Sequence, residues 1–269
     1  MAYAIENWKP QDKQAKFIKS QADECFYGGA AGGGKSDALL MISIARRLKY
    51  AGTTGLILRR TLPELERGDG LIPRSRKWLS DIAKWSERKK IWIFGNGSIL
   101  EFGYCEKESD VYRYQGGEYA DVCFDELTHF TKFQYDYLRS RCRTVVDGCA
   151  PIMRSASNPG NVGHAWVREE FIVPYERSGG VPWETEIGDG YKIAREFVPA
   201  RLEDNAYLGG AYRRNLQARD ENTRAALLDA RWERAVRPVA AHILAVDDLA
   251  DRMHDCDLLL DQNLHVGMD

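Results

Sequence analysis

The sequence predicts an α/β fold: a mainly parallel central sheet, flanked by helices, with one inserted β-hairpin. Three observations predict it. Short apolar strands alternate with helical stretches along the chain. A glycine-rich loop ending in Lys-Ser joins the first strand to the first long helix. An apolar strand ending in two adjacent carboxylates follows about ninety residues later.

The strand at residues 25–27, Cys-Phe-Tyr, runs into the loop Gly28-Gly29-Ala30-Ala31-Gly32-Gly33-Gly34-Lys35-Ser36. From Gly29 the segment fits G-x-x-x-x-G-K-[ST] without a mismatch, the pattern of a phosphate-binding loop. Glycines let successive backbone N–H groups turn toward an anion without a side-chain clash. Lys35 can place a point charge on the β- and γ-phosphates, and the Ser36 hydroxyl can ligate Mg²⁺. Residues 37–48 read as a helix whose N-terminal dipole faces the same anion. The alternative is a plain glycine-rich turn between two elements; in this context the loop implies a nucleoside triphosphate ligand.

The second motif implies hydrolysis. Asp121-Val122-Cys123-Phe124-Asp125-Glu126 is an apolar strand with two carboxylates at its C-terminal end. Asp125 is placed to share the metal ion with Ser36, and Glu126 to orient and deprotonate an attacking water. Elsewhere an Asp-Glu pair is commonly a solvated helix start, capping the residue that follows.

The other elements follow in order. Residues 55–58 form a second apolar strand, and residues 62–65 open a helical stretch reaching the Trp78 to Trp85 region. The mainly apolar runs 91–94 and 98–102 flank Gly95-Asn96-Gly97, the clearest hairpin in the chain. A helix is expected near 131–140, then a strand at 151–157 running into the turn Asn158-Pro159-Gly160. Residues 166–171 look helical, 191–198 extended, and two helices fill roughly 206–217 and 222–230.

Composition bounds the partners. With 269 residues, 44% hydrophobic and 29% charged, the chain suits one large domain or one domain plus an appendage. The longest apolar run, residues 38–45, is far short of a membrane span, and the N-terminus has no signal-peptide pattern. Six cysteines without a C-x-x-C pair suit small buried hydrophobes in a reducing cytoplasm rather than a zinc site. Net charge is −2 overall, but residues 236–269 carry −5 and the remainder +3. Basic clusters at 59–60, 74–77, 88–90 and 139–143 make a polyanionic partner plausible, although charge runs are most often solvated faces. His129 and His164 have no third ligand at metal spacing and read as structural.

Across residues 8 to 232, the chain resembles the N-terminal ATPase domain of the large terminase subunit of tailed bacteriophages. Four features carry the resemblance, in the family's order. Residues 10–17, with Gln14, resemble the adenine-contacting segment, and Gly29 to Ser36 the phosphate loop. Residues 122–126 resemble the acidic strand, and Ser157-Asn158-Pro159-Gly160 the coupling motif that senses the γ-phosphate. Tyr114-Gln115-Gly116-Gly117-Glu118 and Phe124-Asp125-Glu126-Leu127-Thr128 are also similar. The resemblance implies a P-loop NTPase of the RecA-like (ASCE) type using ATP and Mg²⁺. It implies a nucleotide site of Gln14, Gly29, Ala30, Ala31, Gly32, Gly33, Gly34, Lys35, Ser36, Ser157 and Asn158, with Ser36 and Asp125 on the metal and Glu126 as base. Arg113 lies where the family carries an arginine donated across a subunit boundary. A surface arginine on a short helix is the equal alternative, and Arg59 or Arg60 is the competing choice. Gln14 could instead be a solvent-facing glutamine on an amphipathic helix.

The implied role is a DNA-packaging motor that moves double-stranded DNA into a procapsid. The implied partners are a small terminase subunit, a capsid portal and copies of itself in a ring, in the host cytoplasm and without a membrane; the isolated chain is expected to be a monomer. The motor domain is expected over 1–235, with 236–269 a short acidic tail, helical or disordered. Only thirty-seven residues follow Trp232, so no C-terminal nuclease domain and no DNA cleavage are expected. The competing functions are an inactive prophage remnant that binds ATP without packaging, and a helicase-like DNA-dependent ATPase.

Overall fold

The computed structural model describes residues 8–30, 32–188 and 190–201, together with Asp204, Arg214, Gln217 and Trp232. Helix α1 (Asp12–Lys19) leads to strand β1 (Glu24–Gly29) and, through the glycine-rich loop, to helix α2 (Lys35–Lys49). Strand β2 (Thr54–Arg59) is followed by two short helices, α3 (Leu62–Glu66) and α4 (Leu71–Leu79). Three strands come next, β3 (Ala83–Ser86), β4 (Ile91–Phe94) and β5 (Ile99–Tyr104), then a 3₁₀ helix at Glu108–Tyr114. Strand β6 (Asp121–Asp125), helix α5 (Lys132–Arg139) and strand β7 (Ile152–Ser157) carry the chain back through the centre. Helical residues from His164 to Arg177 include a π-type turn at Arg168–Ile172 and precede β8 (Trp183–Ile187) and β9 (Tyr191–Ala200).

Among the described residues these strands form one nine-stranded sheet in the order β3-β4-β5-β2-β6-β7-β1-β9-β8. The six strands from β5 to β9 pair in parallel, and antiparallel strands finish both edges. This is the predicted α/β fold. Parallel strands covered on both faces must bury every side chain, and β1 and β6 are buried at every position. Alternation divides them between two cores. Tyr27, Ile57 and Cys123 face Leu39, Leu40 and Ile44 of α2. Phe26, Leu58 and Phe124 face Phe130, Tyr135 and Phe171 on the other side. The five described cysteines are free thiols, and burial pushes Cys25, Cys105 and Cys142 up to about 12, so they act as small core residues.

The hairpin lies at the expected place. Ile91 pairs with Glu101 and Ile93 with Ile99 across a turn in which Gly97 takes φ +81°. Two expectations need correction. The helical stretch from residue 62 does not continue to Trp85: it breaks at Gly68-Asp69-Gly70, resumes as α4 and ends at Leu79. Gly70 starts the second helix where a Cβ would lie 2.4 Å from the Leu65 carbonyl oxygen, so the two helices meet too closely for a larger residue. Trp85 belongs to β3, where its ring packs 5.1 Å from that of Trp92, an aromatic cross-strand pair that helical periodicity cannot reveal. Strand β8 was not expected; Glu184 and Glu186 face solvent on an exposed edge and make the segment read as polar. The helix expected at 206–217, apart from Arg214 and Gln217, the helix expected at 222–230 and the tail at 236–269 lie outside the described residues.

Two buried charge clusters fix the N-terminal ends of the central strands. Asp121 at the start of β6 accepts hydrogen bonds from Ser43, Arg46 and Arg47 of α2. Glu24 at the start of β1 pairs with Arg195 of β9 at 2.8 Å. Removing one partner of a buried pair strands the other charge. Asp121→Ala, which leaves the fully buried Arg47 unpaired, should therefore cost ~3–5 kcal/mol of stability, read as a lowered midpoint in urea unfolding.

Candidate nucleotide site

The parallel register of β1, β7 and β6 aligns three chain exits. Gly28 lies beside Ser157, and Ala156 lies between Tyr27 and Asp125. The glycine-rich loop, the Asp125-Glu126 pair and the Ser157-Asn158 turn therefore leave the sheet at one edge, above the N-terminus of α2.

Each part of the loop has a backbone reason. Gly29 takes φ +138°, and a Cβ there would stand 2.2 Å from the Ala200 carbonyl, which accepts a hydrogen bond from Ala30 N–H at 2.9 Å. Gly32 and Gly34 are also left-handed, and Gly34 forms the N-cap of α2. Two side chains brace the loop from below: the Tyr27 hydroxyl donates to Gly33 O at 3.1 Å and Gln14 Nε2 to Gly34 O at 2.8 Å. Ala31 lies outside the described residues. Gln14 is buried rather than solvent-facing, and its Oε1 accepts from Gln11 N–H at 2.9 Å. One amide N–H and one lone pair remain for a base.

Lys35 sits at the centre. The residue is only 7% exposed, and its ammonium donates to Ala30 O at 2.5 Å and to Asn158 Oδ1 at 2.8 Å. Burial pushes this amine down to about 8, against the opposing pull of Glu126 and Asp125. Ser36 Oγ donates to Asp125 Oδ1 at 2.9 Å, joining residues 89 apart in sequence. A hydroxyl touching a carboxylate at the mouth of an anion loop is an oxygen donor set that fits Mg²⁺, which keeps most of its shell as water and phosphate. Among the described residues no group of three or more His, Cys, Asp or Glu could hold a metal by itself, so phosphate and water would complete such a shell.

Arg59 at the end of β2 pairs with Asp125 Oδ2 at 3.0 Å and reaches Glu126 at 3.5 Å. Burial raises the Asp125 carboxyl and Arg59 pulls it back down. Glu126 has left-handed backbone, φ +61°, which is uncommon for a side chain of this size and turns its carboxylate into the cleft. The Ser157 hydroxyl donates to Glu126 Oε2 at 3.3 Å and lies 2.7 Å from the Thr128 hydroxyl, whose Oγ1 also bonds to Asn158 O at 3.1 Å. His164 steadies the turn beyond: its Nδ1 accepts from Gly160 N–H at 3.0 Å, and its ring stacks on Trp232 at 5.5 Å. Burial lowers the His164 pKa, in keeping with a neutral acceptor ring.

The resulting cleft, about 380 Å³, brings together Gly32 to Ser36, Asp125, Glu126 and Asn158. Arg113 is elsewhere. It lies half-exposed on the 3₁₀ helix, pairing with Asp110 at 3.0 Å and covering the Tyr104 ring at 4.5 Å. Sequence reasoning did not find Tyr27, whose hydroxyl sits inside an apolar strand without a local signal. Thr128 was visible only as context around the acidic pair, and Arg59 only as an alternative to Arg113.

The family model for the N-terminal part of T4likevirus-type terminase large subunits matches residues 26–250. No curated protein matches the sequence. Among solved structures, the large terminase of the thermophilic bacteriophage D6E superposes with a TM-score of 0.63 at 16% identity, over 83% of this chain and 54% of that one. The D6E enzyme in complex with ADP gives 0.63 at 15% identity, over the same shares. The ATPase domain of the Thermus phage P74-26 large terminase gives 0.57 at 15% identity, over 86% and 96%. The present chain thus spans about half the length of the D6E protein, and these likenesses are of fold.

The depressed Lys35 amine predicts a pH signature. Burial pushes the amine down to about 8 and an arriving phosphate favours the charged form, so ADP binding around that pH should be accompanied by proton uptake. Affinity should fall as pH rises from 8 toward 10. Calorimetry in buffers of different ionisation enthalpy measures the uptake, and a binding heat independent of buffer would contradict it.

Proposed function

This chain belongs to the family of T4likevirus-type terminase large subunits, as its N-terminal part, and we propose that it is the ATP-hydrolysing motor of a viral DNA-packaging machine. The observation that carries the reading is the Ser36–Asp125 hydrogen bond beneath the buried Lys35, which joins the phosphate loop to the acidic strand. In this reading loop N–H groups and Lys35 hold the β- and γ-phosphates of ATP. Ser36 and Asp125 hold Mg²⁺, which when bound offsets charge on the phosphate oxygens. Glu126 takes a proton from the water that attacks the γ-phosphorus, and ADP leaves with its new negative charge against Lys35. Asn158, already bonded to Lys35, exchanges that contact for the γ-phosphate and passes its loss to the turn at Gly160 and so to His164. Gln14 contacts adenine while holding Gly34.

Hydrolysis is coupled to translocation of double-stranded DNA into a procapsid. The small terminase subunit, the capsid portal and further copies of this chain in a ring are the partners, in the host cytoplasm, with the isolated chain a monomer. Residues 1–235 are the motor domain and 236–269 an acidic tail outside it. Arg113 is the arginine offered to a neighbour's γ-phosphate; its exposure supports a role between subunits rather than in its own cleft. No helix among the described residues is long and apolar enough to cross a membrane. A remnant that binds ATP without turning it over, or a helicase-like ATPase, would share the loop and the acidic strand; the intact Lys35, Ser36, Asp125 and Glu126 favour active chemistry.

Two variants test the chemistry. Lys35→Ala should lose nucleotide binding and hydrolysis together, whereas Glu126→Gln should keep ATP and Mg²⁺ binding and lose ~10²–10⁴-fold in turnover, because an amide accepts a hydrogen bond from water but not its proton. Fluorescent-nucleotide binding and phosphate release separate the two. Near wild-type turnover in Lys35→Ala would remove the loop from the mechanism, and loss of binding in Glu126→Gln would make Glu126 structural.

A further inference from the structure

The cleft has a second wall that the phosphate-loop chemistry does not use. Opposite the loop, the segment from Arg67 to Arg74 contributes Arg67, Asp69, Gly70, Leu71 and Arg74 to the lining. With Lys35 and Arg59 that makes four cationic side chains in the cleft, against Asp37, Asp69, Asp125 and Glu126. The protein's own charges balance there, so a triphosphate with its metal, about −2 in net charge, gains from a cation that can turn to it from a carboxylate partner.

The geometry indicates which one. Lys35 is already held for the phosphates, and Arg59 is engaged with both Asp125 and Glu126. Arg67 stands on the rim, more than half exposed and paired with Asp69. Arg74 instead pairs with Asp37, the residue after Ser36, through Nη1–Oδ1 at 2.7 Å. Its other terminal nitrogen donates to the Asp69 carbonyl at 2.8 Å. Asp37 lies in the first turn of α2, where the helix dipole stabilises its carboxylate even without Arg74. Helix α4 is fixed by the buried Leu71, Ile72, Ser75 and Leu79, so a change of partner needs only the side chain to move.

We propose that Arg74 is a catalytic arginine acting in cis: on ATP binding its guanidinium leaves Asp37 and forks onto the γ-phosphate oxygens of its own chain's nucleotide. This rests on the nucleotide-site reading above. A planar, two-pronged donor matches two phosphate oxygens and strengthens as charge builds on them in the transition state. Arg74 thereby sets the turnover of the single chain, while Arg113 adds to it on assembly. Asp37 is the carboxylate that holds Arg74 off the site until nucleotide arrives.

The test compares ground-state and transition-state ligands, ADP·Mg²⁺ and ADP·Mg²⁺ with aluminium fluoride, in the full chain. Arg74→Ala should leave ADP affinity within about threefold, lower kcat by about 10²–10³-fold, and abolish the extra affinity that fluoride gives. Arg74→Lys, which keeps the charge without the fork, should recover only part of it. Asp37→Asn, which frees the guanidinium, should tighten the fluoroaluminate complex several-fold and so answers the question even if Arg74→Ala fails to fold. Unchanged kcat in Arg74→Ala, equal weakening of ADP and its fluoroaluminate complex, or no tightening in Asp37→Asn would each overturn the proposal. So would rescue of Arg74→Ala by added Lys35→Ala protein, which supplies Arg74 from another chain but no active site. Failure of the wild-type chain to bind ADP at all would instead overturn the nucleotide site itself, whatever Arg74 does.

Discussion

The parallel pairing of β6, β7 and β1 is the constraint on which the rest depends. Parallel strands share one direction, so their C-terminal ends must emerge on the same edge of the sheet. The register then places the loop after Gly29, the carboxylates at 125–126 and the turn at 158 next to one another. A slip of one residue in β6 would turn Phe124 toward α2 and carry Cys123 into the opposite core. The buried pairs of Asp121 with Arg47 and Glu24 with Arg195, at the far ends of the same strands, oppose such a slip because each would lose its partner. The chemistry at one edge is thus positioned by packing along the strands and by charges at the other edge.

The cleft itself is held under electrostatic tension. Burial disfavours the charged forms of both Lys35 and Asp125, and neighbours of opposite sign offset that cost only in part. A polyphosphate with a divalent cation would bring a partner of opposite sign to each. The contact of Lys35 with Asn158 is to a neutral amide oxygen, a weaker bond than the charge-assisted one that a phosphate would offer the same ammonium. Beyond Asn158 the connections are of another kind: a hydrogen bond from Gly160 to His164, then ring contacts from His164 to Trp232 and from Trp232 to Phe26 of β1. The turn at 158–160 and the strand that leads into the glycine-rich loop therefore meet on one aromatic side chain.

Much of this was legible in the sequence where local chemistry dictates structure. The glycine spacing, Lys35-Ser36 and the strand-terminal Asp125-Glu126 could be read because a phosphate loop and an acidic strand need those residue types at fixed offsets. Gly95-Asn96-Gly97 announced its hairpin for the same reason. Contacts between distant segments were not legible. Nothing in Leu71-Ile72-Pro73-Arg74 shows that the arginine faces the cleft, since that follows from the break at Gly70 and from how α4 packs. Trp85 read as part of a helix because its partner Trp92 lies across a strand pair. Gln14 carried its family signal, but its bond to Gly34 depends on where α1 lies against the loop.

ATP turnover by the protein with Mg²⁺, measured without DNA, with single-stranded DNA and with blunt double-stranded DNA, tests the central claim most directly. A motor that moves duplex DNA should hydrolyse ATP slowly alone, show a clear rise with double-stranded DNA that salt suppresses, and show little response to single strands. Tight nucleotide binding with no hydrolysis under any of these conditions would contradict the account and leave a binding remnant. Stimulation by single strands alone would point to a helicase-like enzyme.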